Sequence, residues 1–265
     1  MQVHNDENMR VNRIHRPAPT GANGTRTMPS GSSPGIKVPD IVEEPPDDTC
    51  FLRRGDFSIR LNASPGLRSE AGALIKRMYT WRGYETENLV VPSHNPNRLT
   101  FEATIGRRVV GTLTLGLDSE EGLCADELYS NEIKEFRREG RKLCELTKLA
   151  VDPEYSSKEV LASLFHLAYI YGRKIHRATD LFIEVNPRHT GFYRRMLGLS
   201  QIGEERACRR VQAPAVLMHL ELAYVNAQIS SRAGSGGCNT KSLYPYFFSH
   251  HEEEGLTNTL RRRLN

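Results

Sequence analysis

Glu145 is a lone carboxylate in an apolar run, Leu143-Cys144-Glu145-Leu146-Thr147-Lys148-Leu149-Ala150-Val151, that stops at Asp152-Pro153. Buried in a cleft, such a carboxylate has a raised pKa and can act as a general base; on spacing alone an edge-strand glutamate in water fits better. The other reactive side chains organise less well. Five cysteines (50, 124, 144, 208, 238) are scattered without a C-x-x-C pair, which indicates free thiols and neither a disulfide framework nor a zinc site. His250 and His251 precede Glu252, Glu253 and Glu254. Adjacent residues on one backbone rarely face one ion together, so no metal is assigned.

The run around Glu145 alternates as a strand does, with Leu143, Glu145, Thr147, Leu149 and Val151 on one face and Cys144, Leu146, Lys148 and Ala150 on the other. Pro153 ends it, and Ser156 with Glu159 reads as a capping box opening a helix with a wide apolar stripe from Val160 to Ile175. A first strand is expected over 57–61 and an amphipathic helix from Ser64-Pro65 to Gly83, then a hairpin, 99–105 and 109–117, around Gly106. A charged helix over 124–140 precedes the key strand. A strand at 180–187, a short helix at 188–198 and two strands near 200–206 and 214–222 follow. The order β-α-β-β-α-β-α-β-α-β-β predicts an α/β domain: a mixed sheet flanked by helices on both faces.

Residues 1–49 hold seven of the 14 prolines, at 17, 19, 29, 34, 39, 45 and 46, amid Gly, Ser, Thr and Asn, and read as a disordered leader. The domain spans 50–225. Residues 226–265 read as a linker, Ser230 to Gly237, and a tail whose aromatic patch, Leu243 to Phe248, docks on the domain or on a partner.

At 265 residues, with mean hydropathy −0.51, no apolar run crosses a bilayer and no secretory signal is visible, so the expected location is cytoplasmic. The net charge of +4 is clustered: Arg137, Arg138, Arg141 and Lys142; Arg173, Lys174, His176 and Arg177; Arg194 and Arg195; Arg261 to Arg263. Such clusters suit an acidic carrier protein or an anionic membrane surface. Aromatics are not interleaved with them, which ranks nucleic acid last.

The patterns E-L-T-K-L-A-V-D-P at 145–153 and D-L-F-I-E-V-N-P-R-H-x-x-F-Y-R-R-M-L-G at 180–198 resemble the GCN5-related N-acyltransferase fold. With G-T-L-T-L-x-x-D-S-E-E-G-L-C-A-D-E-L-Y-x-x-E-I at 111–133 and G-E-E-R-A-C-x-R-V-x-A-P-A-V-L at 203–217, the chain looks most like the FeeM-type N-acyl amino acid synthases, relatives of the LuxI-type acyl-homoserine-lactone synthases. The resemblance covers about 50–224 and implies that the mixed sheet is mostly antiparallel and twisted. It implies a bacterial transferase that moves a fatty acyl group from a phosphopantetheine thioester to the α-amine of an amino acid. Acyl-CoA enzymes of the superfamily carry a glycine-rich loop after the key strand for the pyrophosphate. Here that stretch is Asp152 to Lys158, with no glycine, which favours acyl carrier protein (acyl-ACP) over acyl-CoA as donor. No bound cofactor is expected.

The resemblance also implies roles. Glu145 matches the family's base, Thr147 shares its face, and Tyr193 matches the tyrosine that protonates the leaving thiolate. Backbone groups of Leu149, Ala150 and Val151 would meet the acyl-pantetheine arm, and Trp81 the acyl chain; Arg82 and Arg188 are candidates for the acceptor carboxylate. Arg137, Arg138, Arg141, Lys142, Arg173 and Lys174 would form the carrier-protein surface. Lys148 stands where the lactone synthases carry arginine, on the opposite face from Glu145 unless a bulge intervenes. Rival readings are an ornithine or glycine lyso-lipid synthase, a lactone synthase, and a catalytically silent module that binds a carrier or partner. A lipophilic slot ending near Glu145 favours a synthase; a sealed core there favours the module.

Overall fold

The computed structural model describes residues 50–61, 65–87, 95–236 and 240–264; the leader 1–49, the cap expected at Ser64, and Cys238 lie outside them. β1 (Cys50–Arg54), not anticipated from sequence, pairs antiparallel with β2 (Phe57–Leu61). α1 (Pro65–Trp81) follows, burying Ala71, Leu74, Ile75 and Met78 at helical spacing. Then come β3 (Arg98–Ile105), β4 (Arg108–Leu117), α2 (Asp126–Arg138) and β5 (Leu143–Val151). α3 (Lys158–Tyr169) passes through a π turn at Ile170–Ile175 to β6 (Asp180–Val185). α4 (Thr190–Leu197) leads to β7 (Ser200–Gln201), β8 (Arg206–Cys208) and β9 (Ala213–Glu221), and α5 (Leu222–Arg232) and α6 (His250–Leu264) close the chain.

The strands run β1-β2-β3-β4-β5-β6-β9-β7, with β8 also on β9. Every pairing is antiparallel except β5 with β6. α1 and α2 cover one face, where Leu74 and Ile75 meet Ala150, and Tyr129 and Ile133 meet Leu143 and Phe182. α3 and the C-terminal segments cover the other, over Phe101, Leu113, Leu115 and Leu146. This is the expected mixed, mostly antiparallel sheet with helices on both faces.

Three local expectations are corrected. The N-cap of α3 is Ser157, whose Oγ accepts from Val160 N–H at 3.1 Å; Ser156 is taken up by the one-turn 3-10 helix that Pro153 starts. Residues 226–232 continue α5 rather than begin a linker, because Val225 and Ile229 fall one turn apart and are both buried. Beyond Lys148 the faces of β5 exchange: Leu149 and Val151 pack toward the α3 side, while Ala150 lies under α1.

The tail aromatics dock on this chain itself. Phe247 and Phe248 are 1% and 0% exposed and stack on either side of the His166 ring, at 4.6 and 4.7 Å between centroids. Full burial of a phenylalanine is worth about 1.5–3 kcal/mol, which is ample to hold a short segment in place. His166 accepts from Phe248 N–H through Nδ1 at 2.8 Å and meets Glu253 through Nε2 at 2.9 Å, while Lys174 reaches the other Glu253 oxygen at 2.8 Å.

Candidate active site

β5 and β6 stay together only over Leu143, Cys144 and Glu145; beyond that β6 remains on β9 as far as Val185, and β5 remains on β4. The sheet therefore opens as a wedge at Glu145. A cavity of about 190 Å³ fills it, walled by Glu145 to Leu149 on one side and Ile183 to Asn186 on the other. At ~30 Å³ per water it has room for roughly six, so the sheet is open here rather than sealed.

Glu145 is held by a row of three residues across the sheet. Arg98 on β3 stands opposite Gly116 on β4, and Gly116 opposite Glu145. A Cβ at Gly116 would lie 2.9 Å from Glu145 Cγ, so glycine is what lets the two long side chains meet across it. Arg98 Nη1 donates to Oε1 at 2.8 Å, Cys124 N–H to Oε1 at 2.7 Å and Ala125 N–H to Oε2 at 3.1 Å. With 1% of its surface exposed, Glu145 is not an edge-strand glutamate in water. Nor is it the free, desolvated carboxylate that a base role assumes, since three donors already occupy its two oxygens.

Lys148 has φ +54°. Thr114 pairs with Thr147 and Thr112 with Ala150, so Lys148 and Leu149 together stand opposite Leu113 as a bulge. The Thr112 hydroxyl donates to the Lys148 carbonyl at 2.9 Å and fixes the turn. The bulge that alternation leaves out brings Lys148 from the opposite face to Glu145's side, and the two line the same cavity. Among the described residues its ammonium has no hydrogen-bond or ion-pair partner. Burial pushes its pKa down to about 8; Arg98 and Arg210 act the same way, against Cys124 and Glu145.

Thr147, Leu149, Arg82 and Tyr193 also line the cleft. The Tyr193 hydroxyl makes no hydrogen bond among the described residues, and burial pushes its pKa up to about 12, so it carries its proton at neutral pH. Other expected residues lie elsewhere. Trp81 is 69% exposed at the end of α1, and Ala150 and Val151 turn into the cores on either face. Arg188 is exposed; its Nη2 donates to the Arg82 carbonyl at 2.9 Å and its guanidinium stacks on Tyr84 at 5.1 Å, so it buttresses Arg82 from outside. Unforeseen in the sequence were Arg98, Cys124, Ala125, Glu184 and Arg210. Arg210 Nη2 donates to Glu184 at 2.7 Å and Nη1 to the Cys124 carbonyl at 2.7 Å. Only strand register and loop return bring these residues together, and neither leaves a local spacing to read.

Most of the expected carrier-binding cations are engaged within the fold. Arg137 pairs with Asp118 and Asp126, Arg141 with Asp180 and Glu221, and Lys174 with Glu253, while Arg173 bonds the Ala178 carbonyl. Of that set, Arg138 and Lys142 remain exposed. Glu253 is likewise committed to His166 and Lys174, and no group of three or more His, Cys, Asp or Glu among the described residues could hold a metal. No helix of the described residues is long and apolar enough to cross a membrane.

The family described as N-acyl amino acid synthase FeeM matches residues 70–221. The solved structure of FeeM, an N-acyl amino acid synthase from uncultured soil microbes, is 30% identical and superposes with a TM-score of 0.59, over 63% of this chain and 92% of its own. A putative N-acetyltransferase from Lactobacillus plantarum is 16% identical over 63% of this chain and 98% of its own, with a TM-score of 0.47. The AHL synthase LasI is 13% identical over 63% and 90%, with a TM-score of 0.45. No curated protein matches.

Proposed function

From the premise that this chain belongs to the FeeM family of N-acyl amino acid synthases, and so is an acyltransferase of the GCN5-related fold, we propose that it transfers a long-chain fatty acyl group from a carrier-protein thioester to the α-amine of an amino acid. The observation that carries this reading is the open wedge at Glu145, polar at its apex and lined further out by Leu113, Leu149, Phe165, Ile183 and Val185. A thioester carbonyl lodged there would put its acyl chain against apolar side chains. The acceptor would lie toward Thr147 and Arg82, with the Arg82 guanidinium facing the carboxylate. Tyr193, protonated at neutral pH, would supply the proton that the departing thiolate needs.

The turn from β5 to α3 supports a carrier protein over coenzyme A. It is a proline-led turn in which Asp152 takes Arg77 and Arg108 at 2.7 and 2.9 Å, with no glycine-rich loop of backbone N–H groups of the kind that cradles a pyrophosphate. The test is expression in a bacterial host followed by mass spectrometry of the lipid extract, with Glu145→Gln and the empty vector alongside. A series of N-acyl amino acids made by the wild type and lost in the variant is the expected result and names the acceptor. Extracts indistinguishable from the vector, from folded protein supplied with both donor types in vitro, would sink the reading.

A further inference from the structure

The proton on the acceptor must go somewhere before its nitrogen can attack, and the cleft contains two groups of very different readiness to take it. Glu145 has donors on both oxygens, one of them the cationic Arg98. Lys148 has no partner among the described residues, and a strained backbone clamped by Thr112 holds it inside the wedge. We propose that Lys148 Nζ, in its neutral form, is the base that deprotonates the acceptor's ammonium, while Glu145 and Arg98 form the fixed ion pair that shapes the apex. This rests on the N-acyl transfer reading and assigns a role within it.

The surroundings favour a neutral amine. Burial is the dominant cause; Arg98 from β3 and Arg210 from the β8–β9 turn act with it, and Cys124 and Glu145 offset the two arginines but not the burial. Glu184 is engaged by Arg210 at 2.7 Å. Across the cleft stand Arg82, His189 and Tyr193, none of them an anion at neutral pH. A burial-induced fall to about 8 places Nζ where a general base works near neutrality.

The balance of the step is simple. The acceptor ammonium gives up two protons: one ends on the leaving thiol and one in water. Nζ takes the first, freeing the nitrogen lone pair to form the C–N bond as the carbonyl π pair moves to oxygen. The adduct's second N–H proton, directly or by way of Tyr193, reaches the thiolate as the C–S bond breaks, and Lys148 then returns its proton to water.

The test uses purified full-length chain and two readouts. The first is the rate of N-acyl product formation against pH for wild type, Lys148→Arg and Lys148→Met, with the amino acid and with hydroxylamine, an acceptor already neutral at pH 7. Expected are a wild-type rate rising to a plateau near pH 8, a loss of roughly 100-fold or more in both variants with the amino acid, and near-wild-type rates with hydroxylamine. Lys148→Arg within about threefold of wild type would overturn the proposal, since a residue that only anchors a carboxylate tolerates arginine. The second is the pH at which Nζ becomes reactive to a limiting acylating reagent, read per lysine by mass spectrometry with unfolding curves confirming folded protein. Titration of Lys148 near 8 supports the proposal and titration above 10 overturns it, whether or not an amino acid acceptor has been found; a wild type that acylates no amino acid, with Lys148 titrating near 8, instead counts against the transfer reading.

Discussion

Two buried ionic clusters lie on opposite faces of the sheet and are completed to different degrees. On the α3 side, His166, Glu253 and Lys174 satisfy one another, and the His166 ring stacks on Phe247 and Phe248. On the α1 and α2 side, Glu145 and Arg98 are satisfied, but Lys148 beside them has no partner among the described residues, and the backbone that places it there has φ +54°. A fully paired buried network stabilises one arrangement, whereas an ionisable group left unpaired in a cavity is costly and persists where something else uses it. The contrast separates a fastening from a site.

Arg98→Met should have the largest effect, because it leaves Glu145 buried without its counter-ion. A loss of about 3–5 kcal/mol in urea unfolding is expected together with loss of N-acyl product. A variant that kept both would show that the Arg98–Gly116–Glu145 row does not organise the cleft. Phe248→Ala should cost about 3–4 kcal/mol by the cavity it opens, yet leave product formed per folded molecule unchanged. Altered turnover in that variant would break the separation between the two faces.

Acid should loosen the fastening. Burial opposes a charge on Glu253, but the bonds from His166 and Lys174 hold its pKa at about 2, below the ordinary 4.5. That stabilisation, about 3 kcal/mol, is complete above pH 4.5 and lost as pH falls toward 2. Burial also lowers the pKa of His166, so its unfolded form gains a proton first and the decline begins below the ordinary histidine value. Glu253→Gln should flatten the low-pH end of the unfolding profile measured by circular dichroism.

The smallest effect expected concerns Glu102 on β3, fully buried with neither carboxylate oxygen hydrogen-bonded among the described residues. Burial, with Glu70 adding and Arg60 opposing, raises its pKa to about 8. The fold therefore holds it protonated, and stability declines as pH rises from about 4.5 through about 8, since the unfolded chain releases that proton earlier. Glu102→Gln should remove the decline and gain about 2–3 kcal/mol near pH 7 in urea unfolding. Equal slopes for wild type and variant across that window would show that Glu102 is ionised in the fold.

Much of the fold was written in the sequence. Alternation, proline stops and helical spacing located β2 through β6, β9, α1 to α4 and the splayed strand itself, because these patterns are local and each element buries the face they mark. β1 was missed because it is short and amphipathic by neighbourhood alone, and α5 because Ser, Arg and Gly near its end obscure Val225 and Ile229. Glu145, Thr147, Leu149, Arg82 and Tyr193 were named from sequence pattern and resemblance, and all five line the cleft. What the chain could not reveal is the state of those groups. Whether Glu145 is free or saturated depends on Arg98, 47 residues away, and on Gly116 being small enough to let them meet. Whether Lys148 faces core or cleft depends on one extra residue in the pairing with β4, which alternation takes for granted and only the register decides.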